Sequence, residues 1–412
     1  MYSENFKKTV LDNGLTIISE IIPSVRSIAA GVWIKTGSRF EYPAQNGIAH
    51  FLEHMMFNGT RKRSPLEIAQ SLESIGGHLN AFTGKEVTCY YANALDIHLN
   101  RAIEVLSDMV CNSVFPEKEI PRERFVVLEE IKSTLDTPEE HIFDIFHEKL
   151  FPDDPLGRPI LGTEEIVSGF ERNSIVDFWR TQYSPENMVV SAAGNLKHDK
   201  LVRLVDKYFH FDKIASQTQP QMVENITQSQ EFIIPQPINQ AHICTGGRGI
   251  PYNSEDRFAL LVLNAYLGGG MSSRLFQRLR EKRGLAYSIY SFIDFYSNIG
   301  LFGIYMGTDS SKLKTAQSLL QDELNKVVSK EISAGHLNRI KNQLKGNLVL
   351  GLESTSRRMT RLAKNELYFN EYVSIDSLIK NIDSVTTNDI IRLANDIIHP
   401  DNFITVILQP AA

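Results

Sequence analysis

The sequence predicts an α+β protein made of two homologous domains, each a sheet with helices packed on it, facing each other as a clamshell. Three observations predict this. A polar stretch from Asp212 to Gln230, centred on Ser216-Gln217-Thr218-Gln219-Pro220-Gln221, divides the chain into halves of similar length. Both halves open on the same order of features: strand, short polar run, helix. Strands and long amphipathic helices are mixed within each half, which is the pattern of a sheet with helices layered on it. The domains are placed at 1–215 and 233–412, joined by a linker at 216–232.

The first half begins with Leu11-Asp12-Asn13-Gly14-Leu15-Thr16, a hairpin-like segment whose Asn-Gly pair suits a two-residue turn. The apolar run from Ser27 to Thr36 reads as a buried strand and is far too short to span a membrane. A helix is expected from about Asn46 to Phe57. In the second half the corresponding features are a strand at Gln240–Gly246, a polar run at Tyr252–Asp256 and a helix at Arg257–Leu267. Long amphipathic helices are expected at Ile120–Leu135 and Ile332–Leu348.

The chain has 412 residues, enough for two cores. Its net charge of −6 argues against a nucleic-acid binder, which carries a basic excess. Cys89, Cys111 and Cys244 are odd in number and far apart, and no pair has metal-ligand spacing, so they read as free thiols in a reducing compartment. Met1 to Lys8 is polar and has no apolar signal core. With no membrane span in view, the expected location is the cytoplasm, or the periplasm where a leader has been removed.

The chemistry concentrates in His50-Phe51-Leu52-Glu53-His54. On a helix of about 3.6 residues per turn the two histidines lie one turn apart, and Glu53 flanks them within an arc of about 100°. Two imidazoles supply half of a tetrahedral zinc site. A carboxylate beside them, not itself a ligand, can take a proton from water that the metal activates. Catalytic zinc takes a third protein ligand and keeps one position open. The best source is the helix holding Glu123, Glu129 and Glu130. Glu123 and Glu130 are seven apart and share a face, while Glu129 points away. Glu130 is taken as the ligand, and Glu123 as the group that holds an imidazole or a water in place. The second half has no histidine between His242 and His336, so one copy lacks the constellation. Imidazole and carboxylate also accept manganese or cobalt, so residue chemistry alone leaves those metals open.

His-Phe-Leu-Glu-His is the inverted zinc motif, and the chain resembles the M16 metallopeptidases, the family of pitrilysin, insulin-degrading enzyme and mitochondrial processing peptidase. The run from Gly47 to Thr60 fits that family's signature. In the family the third ligand follows the second histidine by about 76 positions, and here 130 − 54 = 76. The resemblance implies more. Gly76-Gly77-His78-Leu79-Asn80-Ala81-Phe82-Thr83 is similar to the family's active-site edge strand, so Asn80, Ala81 and Phe82 would bind a peptide backbone by strand addition. Arg280 and Tyr287, seven apart, resemble a pair contributed by the inactive domain. Arg280 would bind a substrate carbonyl and Tyr287 would donate to the oxyanion.

The resemblance thus implies a metalloendopeptidase with one Zn2+ per chain, acting on extended peptides. It implies a homodimer, or a heterodimer with a related non-catalytic subunit, and no nucleic-acid partner. Scaffold-type relatives lose zinc ligands, whereas this chain keeps every matching position. Glu73, Glu86, Asp136, Glu139, Glu140 and Asp144 are candidates to favour basic, presequence-like peptides through a negative potential.

Overall fold

The computed structural model describes residues 5–211, 229–398 and 402–411. The linker expected at 216–232 falls, up to Gln228, outside these residues. The strands are β1 (Phe6–Val10), β2 (Thr16–Ile21), β3 (Ser27–Ile34), β4 (His78–Thr83), β5 (Thr88–Leu95), β6 (Met188–Gly194), β7 (Gln230–Gln236), β8 (Gln240–Gly249), β9 (Ala286–Phe295), β10 (Gly300–Asp309) and β11 (Ile404–Pro410). The first eight helices are α1 (Ile48–Met55), α2 (Pro65–Glu73), α3 (Leu99–Asn112), α4 (Ile120–Asp136), α5 (Pro138–Leu150), α6 (Glu164–Ser168), α7 (Arg172–Gln182) and α8 (His198–Tyr208). The others are α9 (Arg257–Leu267), α10 (Leu313–Ser329), α11 (Ala334–Gly351), α12 (Thr355–Phe369), α13 (Ile375–Ser384) and α14 (Thr387–Ile397).

Two sheets form, in the orders β1-β2-β6-β3-β5-β4 and β7-β11-β8-β10-β9. Setting β1 aside, they match strand for strand. The β2–β6 and β7–β11 pairs are parallel, and every other pair is antiparallel. The duplication expected from the sequence is therefore a duplication of topology. β3, Ser-Ile-Ala-Ala-Gly-Val-Trp-Ile, is buried along nearly its whole length. A near-continuous apolar strand is what a sheet covered on both faces requires. One face packs on a core containing Phe51, Leu52, Leu106 and Met109. The other carries Ile18, Trp33 and Cys89 against Met359, Leu362 and Ala363 of α12.

That second cover corrects the domain bounds. The two compact units are not contiguous halves. One takes the described residues of Met1–Lys132, Arg158–Met222 and Gly351–Ser374. The other takes those of Ser133–Gly157, Val223–Leu350 and Ile375–Ala412. Each unit thus receives a helix from the opposite half of the chain. In the first unit α12 is held by polar contacts as well as packing. Buried Glu20 accepts from Arg358 and from Arg361 (3.1 Å), and Ser191 donates to the Met359 carbonyl at 2.8 Å. In the second unit α5 lies on β8 and β11, and Phe143 stacks edge-on against Phe292 at 5.0 Å.

Cys89, Cys111 and Cys244 are free and buried. Among the described residues no helix is long and apolar enough to cross a membrane.

Candidate active site

α1 faces the core with Ile48, Ala49, Phe51, Leu52 and Met55, which leaves His50, Glu53 and His54 half-buried on its remaining flank. Ile48, Phe51, Leu52 and Met55 each stabilise this docking by roughly 1.5–3 kcal/mol, so the helix, and with it the histidines, is firmly seated. The helix start is unusual. Its N-cap is Gly47, in the left-handed region at φ +98°, and no side chain caps it there. A Cβ at this position would lie 2.6 Å from the Leu161 carbonyl oxygen, which excludes the Ser, Thr or Asp that normally caps a helix. Glu41 supplies the cap from outside. Its Oε1 accepts from Ala49 N at 2.8 Å, and its Oε2 accepts from Gly47 N at 2.8 Å and from the Asn46 amide at 2.9 Å. Burial pushes this carboxyl up to about 7, against those donors and nearby Arg158.

The imidazoles of His50 and His54 lie 4.6 Å apart between ring centres. Both Nε2 atoms face the same oxygen, Glu130 Oε2, at 3.7 Å from His50 and 3.6 Å from His54. Tetrahedral ligands at bond lengths of about 2.0–2.1 Å stand roughly 3.3–3.4 Å apart, so the two histidine–glutamate spacings are close to what zinc requires, and all three donors lie within 4.8 Å of one another. Among the described residues these three side chains form the group of His, Cys, Asp and Glu donors close enough to share one ion. Burial and the neighbouring His54 push His50 down to about 3, so its ring is neutral, as a ligand must be. His50 Nδ1 is buried with no hydrogen-bond partner, so that atom is not used in holding the fold together. The donor set therefore fits zinc, with a coordination position to spare.

Glu123 Oε2 lies 3.3 Å from His54 Nδ1, and Arg122 donates to Glu123 Oε1 at 3.2 Å. Burial opposes the charged form of His54, but this bond and the charges of Glu130, Glu123 and Glu53 raise it overall. The same hydrogen bond is the main reason that Glu123 is lowered. Glu129 is turned to solvent and pairs with Lys132 at 2.9 Å. Glu53 is raised, chiefly by burial and also by Glu130, while a hydrogen bond from Thr83 and the charge of His54 work the other way.

Asn80, Ala81 and Phe82 lie on β4, the last strand of the first sheet; among the described residues it pairs with β5 alone, which leaves its other backbone edge open. Phe82 is exposed, and Asn80 Oδ1 accepts from Ala81 N at 2.8 Å. Arg280 and Tyr287 belong to the second unit. Arg280 sits in a π-helical turn, Phe276–Glu281, with its guanidinium 4.7 Å from the Phe276 ring centre. Tyr287 falls in a β-bulge of β9: Ser288 opposes Gly307 and Ala286 opposes Thr308, so Tyr287 has no cross-strand partner, and 58% of its surface is exposed. Bulges re-aim side chains in this way and concentrate next to functional sites.

Two residues that sequence reasoning missed touch the site's framework. Glu41 was detectable in principle, because a helix entered through glycine needs a remote cap. Thr83 stood at the end of the edge-strand block, but no spacing rule connects it to Glu53. One expectation needs correction. Glu86 is buried and paired with Arg39 at 2.5 Å, so its charge is neutralised. Glu86 therefore supplies no unopposed negative potential. Glu73 borders a shallow polar cleft shared with Lys62, Arg63 and Arg101.

A duplicated α+β scaffold carrying, among the described residues, one His, His, Glu donor set defines a protein equipped to hold a metal ion in one of its two related units. Comparison with known proteins narrows this. Residues 16–164 match the family described as Insulinase (Peptidase family M16), and residues 169–344 match Peptidase M16 inactive domain. The chain is 42% identical over 399 residues to an uncharacterized zinc protease of Streptomyces coelicolor, covering 95% of this chain and 87% of the relative. It is 41% identical over 406 residues to an uncharacterized zinc protease of Bacillus subtilis, covering 97% and 98%. A crystal structure of a protease from Helicobacter pylori superposes with a TM-score of 0.94 at 24% identity, over 99% of this chain and 100% of the other. A peptidase M16 inactive domain structure from Pseudomonas fluorescens gives 0.90 at 18% identity, over 99% and 98%. These two likenesses bear on the fold. The chain belongs to peptidase family M16.

Proposed function

We propose that this protein is a zinc metalloendopeptidase that hydrolyses bonds within extended peptides. The observation that carries the reading is the convergence of His50, His54 and Glu130 on one point, with the Glu53 carboxylate on the same helix as the histidines. His50, His54 and Glu130 would hold one zinc ion per chain. The zinc, when bound, supplies Lewis acidity toward the scissile carbonyl and makes water a nucleophile near neutral pH.

The chain's own groups do the rest. Glu53 takes a proton from the attacking water and later gives it to the amine nitrogen as the C–N bond breaks. Its raised carboxyl helps here, because proton affinity closer to neutrality improves both transfers. Glu123 orients the His54 ring through Nδ1, directing Nε2 toward Glu130. The open edge of β4 at Asn80, Ala81 and Phe82 binds the peptide as an added strand, fixing an extended substrate by its backbone. For Arg280 and Tyr287 the family resemblance gives the roles of carbonyl binding and oxyanion stabilisation, and the exposed, bulged position of Tyr287 suits a side chain that meets substrate. A preference for basic peptides would rest on Glu73, Asp136, Glu139 and Glu140, since Glu86 is ion-paired with Arg39.

The test is direct. Purified protein should contain about one zinc per chain and cleave members of an unstructured peptide library. Glu53→Gln should retain the zinc and lose hydrolysis by about a thousandfold or more, because an amide cannot accept the proton. A Glu53→Gln protein with near wild-type turnover would refute this mechanism.

A further inference from the structure

We propose that Thr83 is a positioning residue that locks the Glu53 carboxylate and couples it to the peptide-binding edge. The inference rests on Glu53 being the base. Thr83 Oγ1 donates to Glu53 Oε2, which ties down one carboxylate oxygen; the other is the one assigned to the proton. Thr83 closes β4 directly after Asn80, Ala81 and Phe82, and its backbone pairs with buried Thr88 on β5. That end of the strand is firmly fixed. Gly84 N donates to the Val87 carbonyl at 2.8 Å in the hairpin turn, and the Thr88 hydroxyl donates to the Thr36 carbonyl at 3.1 Å. Glu53, by contrast, is a long side chain on the half-buried flank of α1, and a glutamate has several rotamers to lose when it is fixed in one.

The hydroxyl thus selects one rotamer. It ties that rotamer to the strand on which substrate would add, so a peptide aligned along β4 is also aligned to the base. A residue of this kind acts on geometry at the reacting atoms more than on substrate affinity or metal binding, and misplacement by about 1 Å can cost on the order of a hundredfold in rate.

The experiment compares Thr83→Val and Thr83→Ser with wild type and Glu53→Gln in the zinc-loaded, full-length protein. Valine keeps the shape and removes the hydroxyl, while serine keeps the hydroxyl. The expected result for Thr83→Val is a kcat lowered about 10–100-fold with KM changed by less than about threefold, and with zinc content and melting temperature as in wild type. Thr83→Ser should recover most of the kcat. Adding Thr83→Val to Glu53→Gln should cost little more, because two residues acting through one group are not additive. A Thr83→Val enzyme of normal kcat beside an inactive Glu53→Gln overturns this inference and leaves the base assignment standing. A serine variant as slow as the valine variant overturns it as well. An active Glu53→Gln overturns the base assignment itself.

Discussion

The two sheets share one strand plan, yet the helix that follows the first central strand differs between them. α1 reads Ile-Ala-His-Phe-Leu-Glu-His-Met and leaves three polar side chains half-buried on one flank. α9, after β8, reads Arg-Phe-Ala-Leu-Leu-Val-Leu-Asn-Ala-Tyr-Leu and buries Ala259, Leu260, Val262, Leu263, Ala265 and Leu267. α9 also has a half-buried flank, at Phe258, Leu261 and Asn264, but none of these side chains is an imidazole or carboxylate that could serve a metal. The two helices therefore differ in what occupies the half-buried flank, two imidazoles and a carboxylate on α1 against mainly apolar groups on α9. The edge strands diverge in the same sense. β4 is short and alternates exposed with half-buried residues, whereas β9 is longer and interrupts its ladder at Tyr287.

The sharpest way to break this contrast is at the third ligand. Glu130→Gln should weaken zinc retention by more than about a hundredfold, since even partners behind the ligands typically cost about 10–100-fold. Glu129→Gln, one residue away but facing Lys132, should leave zinc within about twofold, as expected of an exposed pair. Metal content after dialysis against a chelator series measures both. Equal retention in the two variants would remove Glu130 from the site.

A smaller effect tests whether the second unit takes part in catalysis. Tyr287→Phe removes one exposed hydroxyl, so fold and zinc should be unaffected. If that hydroxyl donates to the developing oxyanion, kcat should fall about a hundredfold, the usual cost of one such donor. Stopped assays on a single fluorogenic peptide would resolve this, and unchanged kinetics would confine the chemistry to the first unit's residues.

The parts legible in the sequence were those governed by local periodicity. The spacing of His50 and His54 fixed their shared face, and the seven-residue interval from Glu123 to Glu130 did the same on α4. The doubled strand–helix order showed the duplication. The exchange of α5 and α12 was not legible, because an apolar stripe shows that a helix buries a face but not which sheet receives it. Met359, Leu362 and Ala363 would suit either sheet by composition. What selects the first is Glu20, placed to bind Arg358 and Arg361 from more than 330 positions away in the chain. Thr83 was hidden for a similar reason: its bond to Glu53 spans 30 residues and two element types, and no motif carries that geometry.

Glu41 offers the smallest but most diagnostic effect, because it distinguishes the remote cap of α1 from an ordinary buried acid. Its carboxyl is raised from 4.5 to about 7 by burial, with Ala49 N, the Asn46 amide, Gly47 N and Arg158 opposing. As pH rises, the unfolded chain ionises Glu41 near 4.5 while the folded chain holds its proton until about 7. The stabilisation from a raised carboxyl is therefore complete below pH 4.5 and is lost as pH climbs to about 7. Glu41→Gln has no such titration, and groups common to both proteins cancel in the difference. The melting temperature of wild type minus that of Glu41→Gln should fall across this window and level off above it. The change should be on the order of 1–3 kcal/mol, or a few degrees for a domain of this size. A difference that stays flat, or grows with pH, would mean that the three N–H donors outweigh burial. Glu41 would then hold the start of α1 as a carboxylate throughout, and the helix bearing His50 and His54 would be capped by a full negative charge.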